Sequence, residues 1–279
     1  MPIRVNEDDP QPTVASDRSV PQFIEVGQPP ARRKIAYLHR TANSAHERPG
    51  IIWLGGFKSD MGSQKATALD AWASETGRAL LRFDYSGHGA SEGRFEEATI
   101  GDWLAESLAV FKTLASGPQI LVGSSMGGWI ALLMLRAMMQ EEKPAASANI
   151  AGLVLIAPAV DFTQRLIWER LPKKARADIE KNGVWLRPSP YSTEPIPITQ
   201  RLIEEGRDHL LFDSILRTHC PVHILHGLKD ADVPPAHVMT LLEHLVGDPV
   251  VVTSIKDGDH RLSRPEDIAC LIAAIETLA

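Results

Sequence analysis

One pentapeptide restricts this chain more than any other feature: Gly123-Ser124-Ser125-Met126-Gly127 stands between the apolar strand Gln119 to Val122 and a helix that begins near Ser125. A chain that passes from buried strand to buried helix with a glycine on each side of a serine turns sharply there. The turn lifts the serine hydroxyl above the end of a sheet, and the glycines let backbone pack against backbone. A serine that merely caps a helix needs no such pair of glycines. The motif therefore predicts Ser125 as a nucleophile. It also predicts that the apolar stretch from Leu121 to Met139 is a strand followed by a helix rather than a membrane span, since it contains three glycines, two serines and Arg136.

The surrounding pattern agrees. Short apolar runs alternate with helical blocks, starting with the strands Phe23 to Val26, Lys34 to Leu38 and Ile51 to Leu54, the first two read as an antiparallel edge. A helix from Lys65 to Thr76 closes at Gly77, strand Ala79 to Phe83 runs into the loop Asp84 to Gly89, and a helix from Ile100 to Ala115 precedes the nucleophile strand. Strands Gly152 to Ala157, Val222 to Leu225 and Val250 to Ile255 follow, with helices at Ala236 to Leu245 and Pro265 to Leu278. Continuous apolar strands separated by helices call for a mostly parallel sheet covered on both faces. The expected fold class is α/β, an α/β-hydrolase fold with an inserted helical cap at about 161–219, where Pro, Arg and Trp interrupt the rhythm. Residues 1–21 are polar and Pro-rich, which predicts a disordered tail ahead of one domain over 22–279.

A serine hydroxyl is a weak nucleophile near neutral pH, so it needs a base and a carboxylate to orient that base. This fold supplies them in the order Ser, acid, His. His260 follows the last strand and precedes the last helix, where the base belongs. After the strand that resumes the sheet beyond the cap, His226-Gly227-Leu228-Lys229-Asp230-Ala231-Asp232 offers two candidate acids, the other being expected to cap a turn or the helix after Pro234. A tetrahedral oxyanion needs two backbone N–H donors, for which Met126 and, after Gly55-Gly56, Phe57 are the candidates. His223 and His226 point to opposite faces of a strand, so no metal site and no cofactor is expected.

The blocks Gly55-Gly56-Phe57, Arg82 to Gly87, Gln119 to Trp129, Gly183-Val184-Trp185 with Pro188-Ser189 and Tyr191-Ser192, His226 to Asp230 and Asp259-His260-Arg261 resemble the abhydrolase domain-containing protein 10 family from about Arg33 to the end. The resemblance implies a serine esterase or thioesterase with Ser125, Asp230 and His260 as its triad, acting on acyl glucuronides or palmitoylated proteins. Asp230 is preferred over Asp232 because it also stands at the fold's usual reach beyond Gly227. The expected substrate is a small-molecule acyl ester or thioester, or an acylated protein. Carbon–carbon bond hydrolysis or perhydrolysis on the same triad, and a non-catalytic ligand-binding protein with this fold, are the alternatives. The cap side chains Leu166, Ile167, Trp168, Leu171, Val184, Trp185 and Leu186 either line an acyl pocket or seal the cap, and Arg187 reads as a solvated charge unless it meets a carboxylated leaving group.

A net charge of -6 and a pI near 5.9 argue against nucleic acid as a partner. Two cysteines, Cys220 and Cys270, and acidic residues Glu7, Asp8, Asp9 and Asp17 where an address peptide would be basic, lead to the expectation of a cytoplasmic protein without an integral membrane segment.

Overall fold

The computed structural model describes residues 20–29, 32–43, 48–140, 150–188 and 193–279. All but the last two residues of the expected tail, and Ser189, Tyr191 and Ser192 of the family blocks, lie outside them.

Eight strands form one sheet in the order β1-β2-β4-β3-β5-β6-β10-β12. β1 (Gln22–Val26) and β2 (Arg33–Arg40) make the antiparallel edge, and β2 also runs antiparallel to β4 (Leu80–Phe83). From there β3 (Gly50–Leu54), β5 (Gln119–Ser124), β6 (Ile150–Ile156), β10 (Val222–Gly227) and β12 (Val250–Ile255) are parallel. The chain builds outward from β3 to β4, then returns to the other side of β3 with β5. That reversal opens a crevice at the carboxyl ends of β3 and β5, where open α/β sheets bind their ligands.

Alternation along each strand explains why both faces are covered. In β3, Ile52 and Leu54 join the larger core with Trp103, Trp129 and Leu132, while Ile51 and Trp53 join the second core with Leu69, Leu271 and Ile275. The first of these faces lies against α2 (Ile100–Leu114) and α3 (Met126–Gln140), the second against α1 (Gln64–Thr76) and α7 (Pro265–Glu276). α3 is buried almost throughout because it sits at the centre of its layer, which accounts for its apolar sequence. Among the described residues no helix is long and apolar enough to cross a membrane. Local chemistry sets the helix ends: Thr99 and Asp102 form a reciprocal capping box on α2, and Gly77 ends α1 in the left-handed conformation at φ 67°.

Between β6 and β10 the chain leaves the sheet. Asp161 anchors both ends of this excursion, its buried carboxylate accepting from Leu211 N–H at 2.8 Å and Phe212 N–H at 3.0 Å. The insertion has a turn of π-helix at Thr163–Ile167, α4 (Lys173–Asn182) and α5 (Gln200–Gly206). It also has an antiparallel ribbon of β7 (Val184–Arg187) and β8 (Ile196–Thr199), which the sequence reading did not separate from the helical pieces. Two four-residue strands, the second interrupted by Pro197, carry too little alternation to be read. β9 (Leu216–Arg217) pairs in parallel with β11 (Leu245–Val246), just after α6 (Pro235–His244).

Candidate active site

The strand-to-helix turn is as tight as the pentapeptide demands. Ser125 takes φ 54°, left-handed and uncommon for a residue with a Cβ, at a cost of about 1–2 kcal/mol. Three backbone hydrogen bonds hold it there: its N–H donates to Ile156 O at 2.8 Å, and its carbonyl accepts from Gly128 N–H at 2.9 Å and Ala159 N–H at 3.0 Å. A Cβ on Gly127 would run into the carbonyl of Leu54, and one on Gly123 into that of Gly127, so neither position admits another residue without backbone movement.

Pairing of β10 with β12, with Gly227 opposite Ile255, brings the two loops that follow these strands side by side. His260 thus meets Asp230, its Nδ1–H donating to Oδ2 at 2.8 Å, while Nε2 faces Ser125 Oγ at 3.0 Å. A carboxylate can only accept, so the proton sits on Nδ1 and leaves Nε2 to accept from the serine hydroxyl. The Asp230 side chain is fully buried. Its other oxygen accepts from Asp232 N–H at 2.9 Å and Val233 N–H at 2.8 Å, which fixes the carboxylate's plane.

Asp232 has a different partner from the one the sequence suggested. Its carboxylate accepts from Arg187 Nη2 of the insertion at 3.1 Å, and α6 begins at Pro235, after Pro234, without a side-chain cap. Arg187 is correspondingly half-buried rather than solvated. Asp230, Asp232 and His260 could in principle offer ligand atoms to a cation, since these lie within 4.8 Å of one another. Those atoms are already engaged, His260 Nδ1 with Asp230 and Asp232 with Arg187, and a cation would have to displace both contacts.

Ser125 and His260 open onto a cavity of about 340 Å³. Phe57 and Met126 line it too, because Leu54 at the end of β3 is opposite Gly123 of β5. Met126 is the first residue of α3, so its N–H is among those that a helix leaves without an internal acceptor. Of the insertion's apolar side chains, Leu166 and Ile167 reach the cavity, joined by Phe162 and Ile196. Trp168 instead has the guanidinium groups of Arg176 and Arg207 over its ring, at 5.3 and 5.4 Å, Trp185 lines a neighbouring cavity, and Leu186 is exposed. The sequence could not sort these, since a short irregular segment has no single buried face. It also carried no mark of Lys65, whose Nζ donates to Arg261 O at the cavity wall and whose pKa burial, and then Arg261, push down to about 8.

Residues 49–269 match the alpha/beta hydrolase family. The chain is 38% identical over 257 residues to the bovine (Bos taurus) palmitoyl-protein thioesterase ABHD10, mitochondrial, covering 88% of this chain and 80% of the relative. A putative hydrolase from Agrobacterium vitis S4 superposes with a TM-score of 0.88 at 46% identity, over 93% of this chain and 98% of that one. Mouse alpha/beta hydrolase domain-containing protein 10 does so with a TM-score of 0.79 at 34% identity, over 92% and 98%. The relatives' names correct the expectation of a cytoplasmic protein, since they are called mitochondrial. Cys220 and Cys270 are not bonded to each other, and two free cysteines do not distinguish one compartment from another.

Proposed function

Because the chain belongs to the alpha/beta hydrolase family, beside the ABHD10 proteins, and is a hydrolase of esters or thioesters, we propose that it works through an acyl-enzyme formed on Ser125, with His260 as base and Asp230 as the group that orients it. The observation that carries this reading is the unbroken line from Asp230 through His260 to Ser125, at 2.8 and 3.0 Å.

His260 Nε2 takes the hydroxyl proton as Ser125 Oγ attacks the acyl carbonyl. The carbonyl oxygen gains the negative charge, and the amides of Phe57 and Met126 are the donors that meet it. Collapse of the tetrahedral species expels the alkoxide or thiolate, which leaves with the proton from His260. Water then repeats the sequence on the acyl-enzyme, giving up a proton to His260 and releasing the carboxylic acid and the free serine. Asp230 stays ionised and stabilises the imidazolium at both stages. No step draws on a cofactor.

The substrate side of the proposal rests on the cavity wall. Phe57, Phe162, Leu166, Ile167 and Ile196 give the acyl group an apolar surface, while Lys58, Lys65 and Arg187 place positive charge around it. An acyl thioester or ester with an apolar chain fits this surface, and palmitoylated protein, the substrate class in the relatives' names, is one such compound. A fluorophosphonate probe tests the core of the reading, because only an activated serine reacts. Labelling of the wild-type protein that persists in Ser125→Ala would overturn it. Turnover of a panel of acyl thioesters, aryl esters and acyl glucuronides then ranks the substrates.

A further inference from the structure

A histidine that takes no part in the proton transfers stands behind the loop that carries Phe57. His88, in the loop after β4, is 4% exposed. Its Nδ1 bonds to the carbonyl of Ser86 at 3.1 Å, and a carbonyl only accepts, so Nδ1 carries the proton. Nε2 is then an acceptor, and it receives the N–H of Lys58 at 3.1 Å.

We propose that His88 is a positioning residue that holds the Phe57–Lys58 peptide so that the Phe57 amide faces the oxyanion, an inference that rests on the reading of Phe57 as an oxyanion donor. Lys58 sits at φ 61°, a conformation that a residue with a Cβ adopts only when its surroundings enforce it. The bond to His88 is such an enforcement, applied to the peptide next to the donor. The ring itself has little freedom, with the rings of Tyr85, Phe95 and Trp103 at 5.7, 5.2 and 5.3 Å. Phe57 packs its own ring on the same Phe95 and Trp103, at 5.0 and 5.9 Å. One aromatic cluster therefore fixes both the side chain of the donor residue and the group that orients its backbone.

The far side of the ring is tied down as well. Trp103 Nε1 donates to the same Ser86 carbonyl at 3.1 Å, and Ser86 N–H donates to the buried Glu106 carboxylate at 2.8 Å. Burial, with Lys58 nearby, pushes the pKa of His88 down to about 4, which keeps the acceptor form in place near neutral pH. A protonated ring would present a second donor to Lys58 N–H and lose the bond.

The test compares His88→Phe, which keeps an aromatic ring without an acceptor, with His88→Gln, whose amide oxygen reaches the position of Nε2. For an activated ester, His88→Phe should lower kcat by roughly 10- to 100-fold with KM within about twofold, as expected when one oxyanion donor is misplaced. His88→Gln should recover most of the loss. The Phe57 amide, followed by NMR as a boronic acid adds to Ser125, should shift in the wild type and in His88→Gln but not in His88→Phe. Should His88→Phe fail to fold, His88→Asn takes its place, because its shorter side chain cannot reach Lys58. An unchanged kcat, or a full Phe57 shift in the variant without an acceptor, overturns the role of His88. A Phe57 amide that does not respond in the wild type overturns instead the reading of Phe57 on which the proposal stands, and the proposal with it.

Discussion

Asp230→Asn is the substitution for which the structure supplies a magnitude. The amide oxygen of Asn would keep the two bonds from Asp232 and Val233 N–H, so its NH₂ would be turned toward His260 Nδ1. A donor there requires Nδ1 to accept, which moves the imidazole proton to Nε2, where it faces Ser125 and can no longer remove a proton. The imidazolium also loses its buried counter-charge. Together these should lower kcat roughly 10³- to 10⁴-fold, about 4–5.5 kcal/mol of transition-state stabilisation. Asp232→Asn should change kcat by less than about threefold, because the charge it removes faces Arg187 in a partly exposed pair, in a class worth about 0–1 kcal/mol. Both variants are assayed at saturating concentrations of one activated ester, with thermal unfolding as the control for folding. Asp230→Ala adds a check on stability, since it strands two amides and should cost about 1–3 kcal/mol for each. A larger kcat loss in Asp232→Asn than in Asp230→Asn, or Asp230→Asn within about tenfold of wild type, would refute this assignment.

Ser125→Ala should remove turnover and fluorophosphonate labelling while changing stability by less than about 0.5 kcal/mol, since Ala meets the same left-handed strain as Ser; wild-type-like turnover rules out Ser125 as nucleophile. If the apolar cavity wall receives the acyl chain, kcat/KM should rise from acetyl to octanoyl thioesters by up to about 0.8 kcal/mol for each methylene buried, and a steady preference for acetyl would assign Leu166 and Ile167 to excluding longer chains. Acid should destabilise the fold through its buried histidines. His88 and His237 are both pushed down to about 4, so the unfolded chain binds protons first as the pH falls below about 6.5, and their contribution declines from there toward pH 4. Between pH 7.5 and 5.5 the two should cost roughly 2–3 kcal/mol together, read as a lower urea midpoint, and His88→Gln should remove about half of that slope. Buried carboxyls pushed upward, such as Asp84 and Asp161, act in the opposite direction at lower pH, which is why the comparison stops at 5.5. A midpoint unchanged over this range would contradict the prediction.

The sequence by itself determined whatever depends on neighbours along the chain. The turn at Ser125 was legible because a sharp strand-to-helix passage needs glycine on both sides, and the strands because apolar runs of that length must be buried. Gly77 marked the end of a helix, and the loss of periodicity beyond β6 marked the insertion. Tertiary structure decided which side chains meet. Asp230 and Asp232 are near equals in sequence, and only the pairing of β10 with β12 turns the first toward His260, while β7 of the insertion supplies Arg187 to the second. The capping role expected of Asp232 failed for that reason: a carboxylate within reach of a guanidinium need not turn back to its own helix. His88 and Lys58, distant in sequence, meet because the loops after β3 and β4 leave adjacent strands at the same edge. Such encounters follow from strand order, and strand order is set by how every buried face is satisfied at once, which no local stretch of sequence encodes.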